Sequence, residues 1–382
     1  MIKLLAIAAD IDPNNLGGAE HHFVEVLKRI APKIESAKVV LGKDLSLSAQ
    51  FKNWPQIKFV AVDYPRVTNF CGLLYIVYAL PVVLKLNDYN VIWGKQEYPQ
   101  GVIAAILKTL KPGIKFYLTS QSDEIHKNEL VVKGQVLHKF QNIFSMVVEP
   151  LIRFAFRKAD VVGAVSLHSA RLAREYGAKN VVVVPNGVNL EKYKVHKIRK
   201  VNKVFKIITT SSLIPRNGID TLIEACKSLD FNFELLIAGD GPEKNKLELL
   251  MKNYKLQNKI KFLGRVPSSK IPSLLYTSDL FVRPSRAEGF GSSFIEAMAA
   301  AVPVIGTPVG GITDFLINNE TGLLVAPNDP VGLSMAIKQM CANPSLARKF
   351  SSNAYKLVER KFVWGKIAGQ VLGVFRLITD EK

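Results

Sequence analysis

The stretch EGFGSSFIEAMAAAVPVIGTPVGG, residues 288–311, follows a short apolar run, LFVRPS (280–285), and encloses a second, VPVIG (302–306). In order it reads as strand, glycine-rich loop, helix and strand, the repeating unit of a parallel α/β sheet. Gly289 and Gly291 free the loop backbone, and Ser292 or Ser293 can cap the helix that begins there. The first amides of such a helix favour an anion, so a diphosphate suits this turn. Glu288 precedes the helix and Glu296 stands about one turn inside it. A carboxylate near that place can accept hydrogen bonds from a ribose diol, as the acidic residue of dinucleotide-binding folds does. A solvated helix glutamate is the plain alternative. Against it, Ile295, Ala297, Met298, Ala299 and Ala300 are apolar or small, and a glutamate among them needs a partner.

The same rhythm fills the chain. In the first half the strand-like runs are KLLAIAA (3–9), KVVL (38–41), VIW (91–93), KFYLT (115–119), VVGAV (161–165) and VVVV (181–184). In the second they are FKIITT (205–210), FELLIAG (233–239), KIKFLG (259–264), DLFV (279–282), VPVIG (302–306) and GLLV (322–325). They are nearly all apolar, as strands buried on both faces of a parallel sheet should be. At 382 residues the chain exceeds one usual core. The basic stretch 191–206 interrupts the rhythm and reads as an exposed linker. The expectation is α/β, with two doubly wound Rossmann-like domains over 1–195 and 196–360. An amphipathic helix at about 360–382 is expected to pack back on the first.

Composition narrows the setting. Cys71, Cys226 and Cys341 are scattered without metal-like spacing, which suggests a reducing compartment and no disulfide framework. The opening run MIKLLAIAA leads into Asp10 and Asp12 without a cleavage site, so it reads as a first strand and not a signal peptide. The longest uncharged run, 67–84, falls short of the ~20 apolar residues that a spanning helix needs. The net charge of +19 favours an anionic partner: a phosphorylated substrate, an anionic membrane surface or nucleic acid. No stacking motif or recognition fold accompanies that charge, which argues against nucleic acid.

Three further corners could carry chemistry. Gly17-Gly18 lies between the first strand and a helix, where backbone can approach a ligand closely or simply turn. Arg216, in the loop IPRNG before another helix, either sits in solvent or shares a phosphate with the helix amides. AGDGPE (238–243) is a tight strand-to-helix turn with Pro242 suited to the first helical position. Asp10-Ile-Asp12 matches an Asp-x-Asp metal pattern, but its place at a strand end favours ordinary strand-end acids, and no metal is assigned.

Together these segments resemble the retaining glycosyltransferases of family 4, also described as glycosyl transferases group 1, which have the GT-B fold of two Rossmann-like domains facing a cleft. The resemblance is carried by GGAE (17–20), ADVVGAVS (159–166), VVPNGVNLEKY (183–193), AGDGPE, FLGRV (262–266), residues 276–314 and ETGLLVAPND (320–329). It implies a nucleotide-diphosphate sugar donor in the C-terminal domain, an acceptor in the N-terminal one and no metal or other cofactor. Carried over, Glu296 holds the ribose and Glu288 contacts hydroxyls of the transferred sugar. Backbone at Gly289, Phe290, Gly291, Ser292 and Ser293 meets the diphosphate. The base lies against Arg265 and Val266, and Gly17 and Gly18 close on the diphosphate from the other domain. Gln121 fits a slot where the family often has histidine, and is assigned with Glu288 to the catalytic set. The family's usual arginine and lysine are replaced by Ser212 and Asn217, with Arg216 as a partial substitute. Asn217→Lys is accordingly expected to leave nucleotide affinity intact.

The acceptor is expected to be lipid-linked or a polysaccharide, and the protein cytoplasmic, with a peripheral place at the membrane's inner face. Residues 67–86 and 127–158 mix apolar stretches with Lys127, Lys133, Lys139, Arg153, Arg157 and Lys158, as an anionic-lipid surface would. Two alternatives stay open: a catalytically weak nucleotide-sugar-binding partner subunit, and a GT-B sugar-nucleotide epimerase or phosphorylase.

Overall fold

The computed structural model describes residues 1–9, 11–12, 17–65, 71–121, 138–193 and 204–380, and the side chains of all these except 138–145. Asp10, Lys127, Lys133, the side chain of Lys139 and most of the basic linker therefore lie outside the described residues. The chain divides into two compact units, Met1–Asn186 with Trp364–Lys382, and Gly187–Val363.

Among the described residues of the first unit, the strands are β1 (Lys3–Ala9), β2 (Ser36–Gly42), β3 (Ile57–Val62), β4 (Val91–Gly94), β5 (Lys115–Ser120), β6 (Val161–Ala164) and β7 (Val181–Val183). They pair in the order β3-β2-β1-β4-β5-β6-β7, and every pairing is parallel. The run Leu4 to Ala8 is wholly buried, because helices cover both faces of the sheet. The helix Gly18–Ile30 turns Phe23, Val24, Val26, Leu27 and Ile30 to the sheet and carries Glu25, Lys28 and Arg29 on its other side. The helix Trp364–Ile378 packs on this unit: the Phe375 ring lies 5.9 Å from Trp93 and 5.3 Å from Tyr117, and Trp364 meets His21 and His22 edge-on. That joins the end of the chain to the core built from its beginning.

In the second unit the described strands are β8 (Phe205–Thr210), β9 (Phe233–Ala238), β10 (Ile260–Gly264), β11 (Leu280–Val282), β12 (Val304–Gly306) and β13 (Leu323–Leu324). Their order is β10-β9-β8-β11-β12-β13, again parallel throughout. From β8 the chain winds outward to β10, then returns to place β11 on the other side of β8. Winding reverses at that pair, and open α/β sheets bind ligands beyond the carboxyl ends of strands at such a switch. In this unit those ends carry loop 211–218 and loop 283–291. In the first unit the switch lies between β1 and β4, whose ends carry Gly17 and Lys95.

No helix of the described residues is long and apolar enough to cross a membrane.

Candidate functional site

The loop after β11 is built around a buried cation. Arg283 leaves the strand with its side chain turned inward, at 6% exposure. Its Nε donates to Ser285 Oγ at 3.1 Å and its Nη1 to Ser293 Oγ at 2.8 Å. Its Nη2 donates to the Glu288 carboxylate, and its guanidinium stacks over the Phe294 ring at 4.9 Å. One guanidinium thus fastens the loop to the start of the Ser292–Ala299 helix, with neutral and charged acceptors placed to match its fork. Burial pulls the Arg283 pKa down to about 9, and the nearby Arg216 cation pulls the same way while Glu296 opposes both.

Two glycines let the loop take this shape. Gly291 adopts φ +98° as the residue before the helix, a left-handed turn that a side chain resists, and it takes the cap position expected of Ser292 or Ser293, with no side-chain cap bond. Gly310 crosses behind the loop at φ +53°, so close that an added Cβ would lie 1.7 Å from the Glu288 carbonyl oxygen. Gly311 N–H donates to that same oxygen at 3.0 Å. The Gly-Gly pair therefore braces the backbone at Glu288 from behind.

Glu296 lies on the helix one turn further on. Its carboxyl accepts a hydrogen bond from the buried Tyr193 hydroxyl. Desolvation raises its pKa to about 7, against the opposing pull of the Tyr193 bond, Arg283 and Lys192. The glutamate in an apolar helix does have partners, and one of them, Tyr193, lies far away in sequence.

The loop after β8 sits beside this one. Arg286 N–H donates to the Arg216 carbonyl at 2.6 Å, and the Arg286 side chain reaches the Pro215 carbonyl, Asp220 at 2.8 Å and Thr221 at 3.3 Å. Arg286 thus ties the two loops together and draws the Asp220 carboxyl below its ordinary pKa, in spite of the desolvation that pushes it up. Asn217 has a job of its own: at 6% exposure its amide donates to the Ser212 carbonyl at 2.7 Å and closes the loop. A lysine there would have to give up that bond inside a buried site. Asn217→Ala is expected to cost about 1 kcal/mol through loss of this one hydrogen bond, since the Ser212 carbonyl still accepts from the Ile214 N–H. Chemical denaturation of the variant checks this, and unchanged stability would remove the brace.

The remaining positions fall as follows. Phe290 is buried against Phe315 and Phe362, at ring distances of 5.5 and 5.8 Å, and anchors the loop through its ring. Arg265 and Val266 follow β10 at the edge of the sheet, two strands from β8; Arg265 is exposed. The structure therefore gathers Arg216, Glu288, Ser293 and Glu296 around Arg283 and leaves Arg265 and Val266 apart. Gly17, Gly18 and Gln121 belong to the first unit. There Glu20, in the first turn of the Gly18–Ile30 helix, accepts from the Gly17 backbone N–H and pairs with the buried Lys95, which fixes the glycine turn. Although burial opposes it, this pairing holds the Glu20 carboxyl below its usual range. Gln121 follows β5 half-buried, with its amide nitrogen lacking a hydrogen-bond partner among the described residues.

Four structural features of these loops escaped the sequence reading: Arg283, Tyr193, Lys95 and the bracing role of Asn217. The signal for Arg283 was a lone arginine directly after the buried run Leu-Phe-Val.

Two doubly wound parallel sheets, each with a topological switch point, define the GT-B class of glycosyltransferases. The family model described as Glycosyl transferases group 1 matches residues 190–357, and the model for Glycosyltransferase Family 4 matches residues 16–192. The chain belongs to glycosyltransferase family 4 and is an enzyme of that kind. An uncharacterized glycosyltransferase of Methanocaldococcus jannaschii is 27% identical over 383 residues, covering 100% of both chains. Among solved structures, sucrose-phosphate synthase from Thermosynechococcus elongatus superposes with TM-score 0.81 at 22% identity, covering 100% of both chains. Anabaena HepE, solved in complex with UDP and glucose, gives TM-score 0.77 at 21% identity, covering 98% of this chain and 99% of that one.

Proposed function

We propose that the protein is a retaining glycosyltransferase that moves a sugar from a nucleotide-diphosphate sugar to a lipid-linked or polysaccharide acceptor, without a metal or other cofactor. One observation carries the reading: Glu288, Ser293 and Glu296 stand around the buried Arg283 at the switch point of the second sheet. The complex of HepE with UDP and glucose supports a donor of this type.

Chemistry follows from the arrangement. Breaking the bond between the anomeric carbon and the diphosphate oxygen leaves positive charge on the sugar and negative charge on the departing nucleotide. Helix amides at 291–293 are fixed in place beforehand, with the Arg216 cation nearby, so they stabilise that anion without reorganising. The Glu288 carboxylate faces the sugar hydroxyls, and Glu296 accepts from the ribose diol. In the retaining course the acceptor oxygen bonds to the anomeric carbon on the face that the diphosphate leaves, and its proton passes to the departing diphosphate oxygen. Gln121, in the first unit, serves the acceptor.

Val77, Tyr78, Met146 and Val147 are exposed on helices of the first unit, and Arg157 and Lys158 lie at the end of one of them. That mixture suits a lipid-linked acceptor and a peripheral place on the inner membrane face in the cytoplasm. Arg153 contributes less, since it pairs with Glu149 at 2.8 Å and stacks on Tyr176 at 4.4 Å.

The test is a thermal-shift panel of UDP-, GDP-, ADP- and dTDP-glucose on the purified chain. A donor at 100 times its dissociation constant adds about 2.7 kcal/mol of stability. One clear stabilising nucleotide sugar is the expected result. No shift with any of them would turn the reading toward a weakened partner subunit.

A further inference from the structure

We propose that Arg283 is the positioning residue of the donor site. In this role it locks the sugar-facing Glu288 and the first-turn Ser293 in the geometry that holds a departing diphosphate, and balances the Glu288 charge there. The inference rests on the donor reading above.

Three observations carry it. First, the position is expensive to fill with a cation: Arg283 is 6% exposed, and a buried arginine is retained only where partners meet its fork. Second, its partners are not spread through the core. Ser285, Glu288 and Ser293 all belong to the loop and helix start proposed to grip the donor. Third, the neighbouring loop 211–218 offers little charge of its own, since Asn217 is neutral and spent on the Ser212 carbonyl. Arg216 alone remains there, close enough for its charge to act on Arg283.

A guanidinium in this place does two things that a lysine cannot. It directs separate N–H groups to Ser285, Ser293 and Glu288 at fixed angles, so the hydroxyl and the carboxylate keep one mutual arrangement. It also leaves the site less negative, because the Glu288 charge is balanced from behind when a diphosphate approaches from in front. Loss of Arg283 would free Glu288 to repel the donor's phosphates.

The experiment measures release of nucleotide from whichever of UDP-, GDP-, ADP- and dTDP-glucose stabilises the wild-type protein. Arg283→Lys is expected to lower kcat about 100-fold, the scale for losing a pre-aimed group, with far less change in KM. In a Glu288→Gln background the same substitution should cost only a few-fold, because the group it positions is already gone. A merely structural arginine would give independent losses in the two backgrounds, or lowered thermal stability with kcat unchanged, and either result overturns the role. Should the lysine variant not fold, Ser293→Ala removes one of the arginine's bonds without stranding a charge. A fall in kcat then supports the proposal and a wild-type kcat overturns it. If the wild-type protein binds none of the four sugars, the donor reading itself falls, and this role with it. Binding by the wild-type protein with Arg283 variants of unaltered kcat sinks only the role.

Discussion

Glu296→Gln is expected to weaken binding of the nucleotide-sugar donor by about 100-fold at pH 8, and to flatten the fall in affinity expected of the wild-type protein as pH drops from 8 to 6. The size comes from two hydrogen bonds to a charged acceptor, each worth roughly 1.5–3 kcal/mol when a buried partner is lost. The pH dependence comes from burial, which holds the Glu296 pKa at about 7. Below that pH the unliganded carboxyl is protonated and must lose its proton to accept from both ribose hydroxyls. Affinity then falls by up to about tenfold per pH unit. Glutamine cannot titrate, so its binding curve stays level. A nucleotide sugar is the right probe because its phosphates are diesters without the second ionisation near pH 6 that a terminal phosphate adds.

Tyr193 supplies an internal control. Its hydroxyl bond lowers the Glu296 pKa, so Tyr193→Phe should move the midpoint of the affinity loss to higher pH. The stability of the unliganded protein runs the other way. The folded-state pKa lies above the unfolded one, so the native state binds more protons between about pH 4.5 and about pH 7. This group's contribution is complete below that window and is lost as pH rises through 7. Above pH 7 the Glu296→Gln variant should therefore melt higher than wild type. Because the side chain keeps an opening to solvent, the gain is smaller than full burial would give. Calorimetric titration at pH 6, 7 and 8 decides the matter, and pH-independent wild-type binding would remove Glu296 from the ribose.

The sheets were legible because parallel strands covered on both faces must be apolar along their whole length. Runs such as VIW at 91–93 can hardly be anything else, and β4 is buried throughout. The strand that escaped was β3, IKFVAV, and the reason is its place at the sheet edge, paired only with β2. An edge strand keeps one side in solvent, so Lys58 and Ala61 are exposed and the apolar signal is diluted. Glycines, serines and carboxylates of the donor loop were legible because a phosphate-binding turn needs them close together. Their partners were not. Arg283 stands five residues from Glu288 and ten from Ser293, spacings that match no helical or strand period, and only the fold-back of the loop joins them. Tyr193 meets Glu296 from about a hundred residues away in sequence, and Lys95, just past β4, meets Glu20 on the first helix. Asn217 was read for what it lacked, a positive charge, while the structure uses its amide. Sequence spacing reveals groups that share one element; it is silent on groups that two elements bring together.

Gly310→Ala should be the most damaging small substitution in the second unit, lowering its stability by roughly 2–4 kcal/mol and turnover by 100-fold or more. Two costs add. The backbone holds φ +53°, which alanine resists, and the new methyl would sit 1.7 Å from the Glu288 carbonyl oxygen. That contact is with backbone, so no side-chain rotation relieves it. Either the Gly310-Gly311 turn or the Glu288 loop must move, and the Gly311 bond to the Glu288 carbonyl ties the two together. Movement of Glu288 carries with it the carboxylate that Arg283 holds, and a displacement near 1 Å is enough to cost 100-fold in rate. The matching control is Gly369→Ala on the tail helix, where an added Cβ meets nothing within 4 Å. There alanine should stabilise by up to about 1 kcal/mol through helix propensity and leave turnover alone. Thermal unfolding and donor turnover of the two variants, measured side by side, separate the close approach at Glu288 from the general effect of losing a glycine. Equal behaviour of the pair would mean that the loop yields to the methyl, and that the site does not depend on the brace behind it.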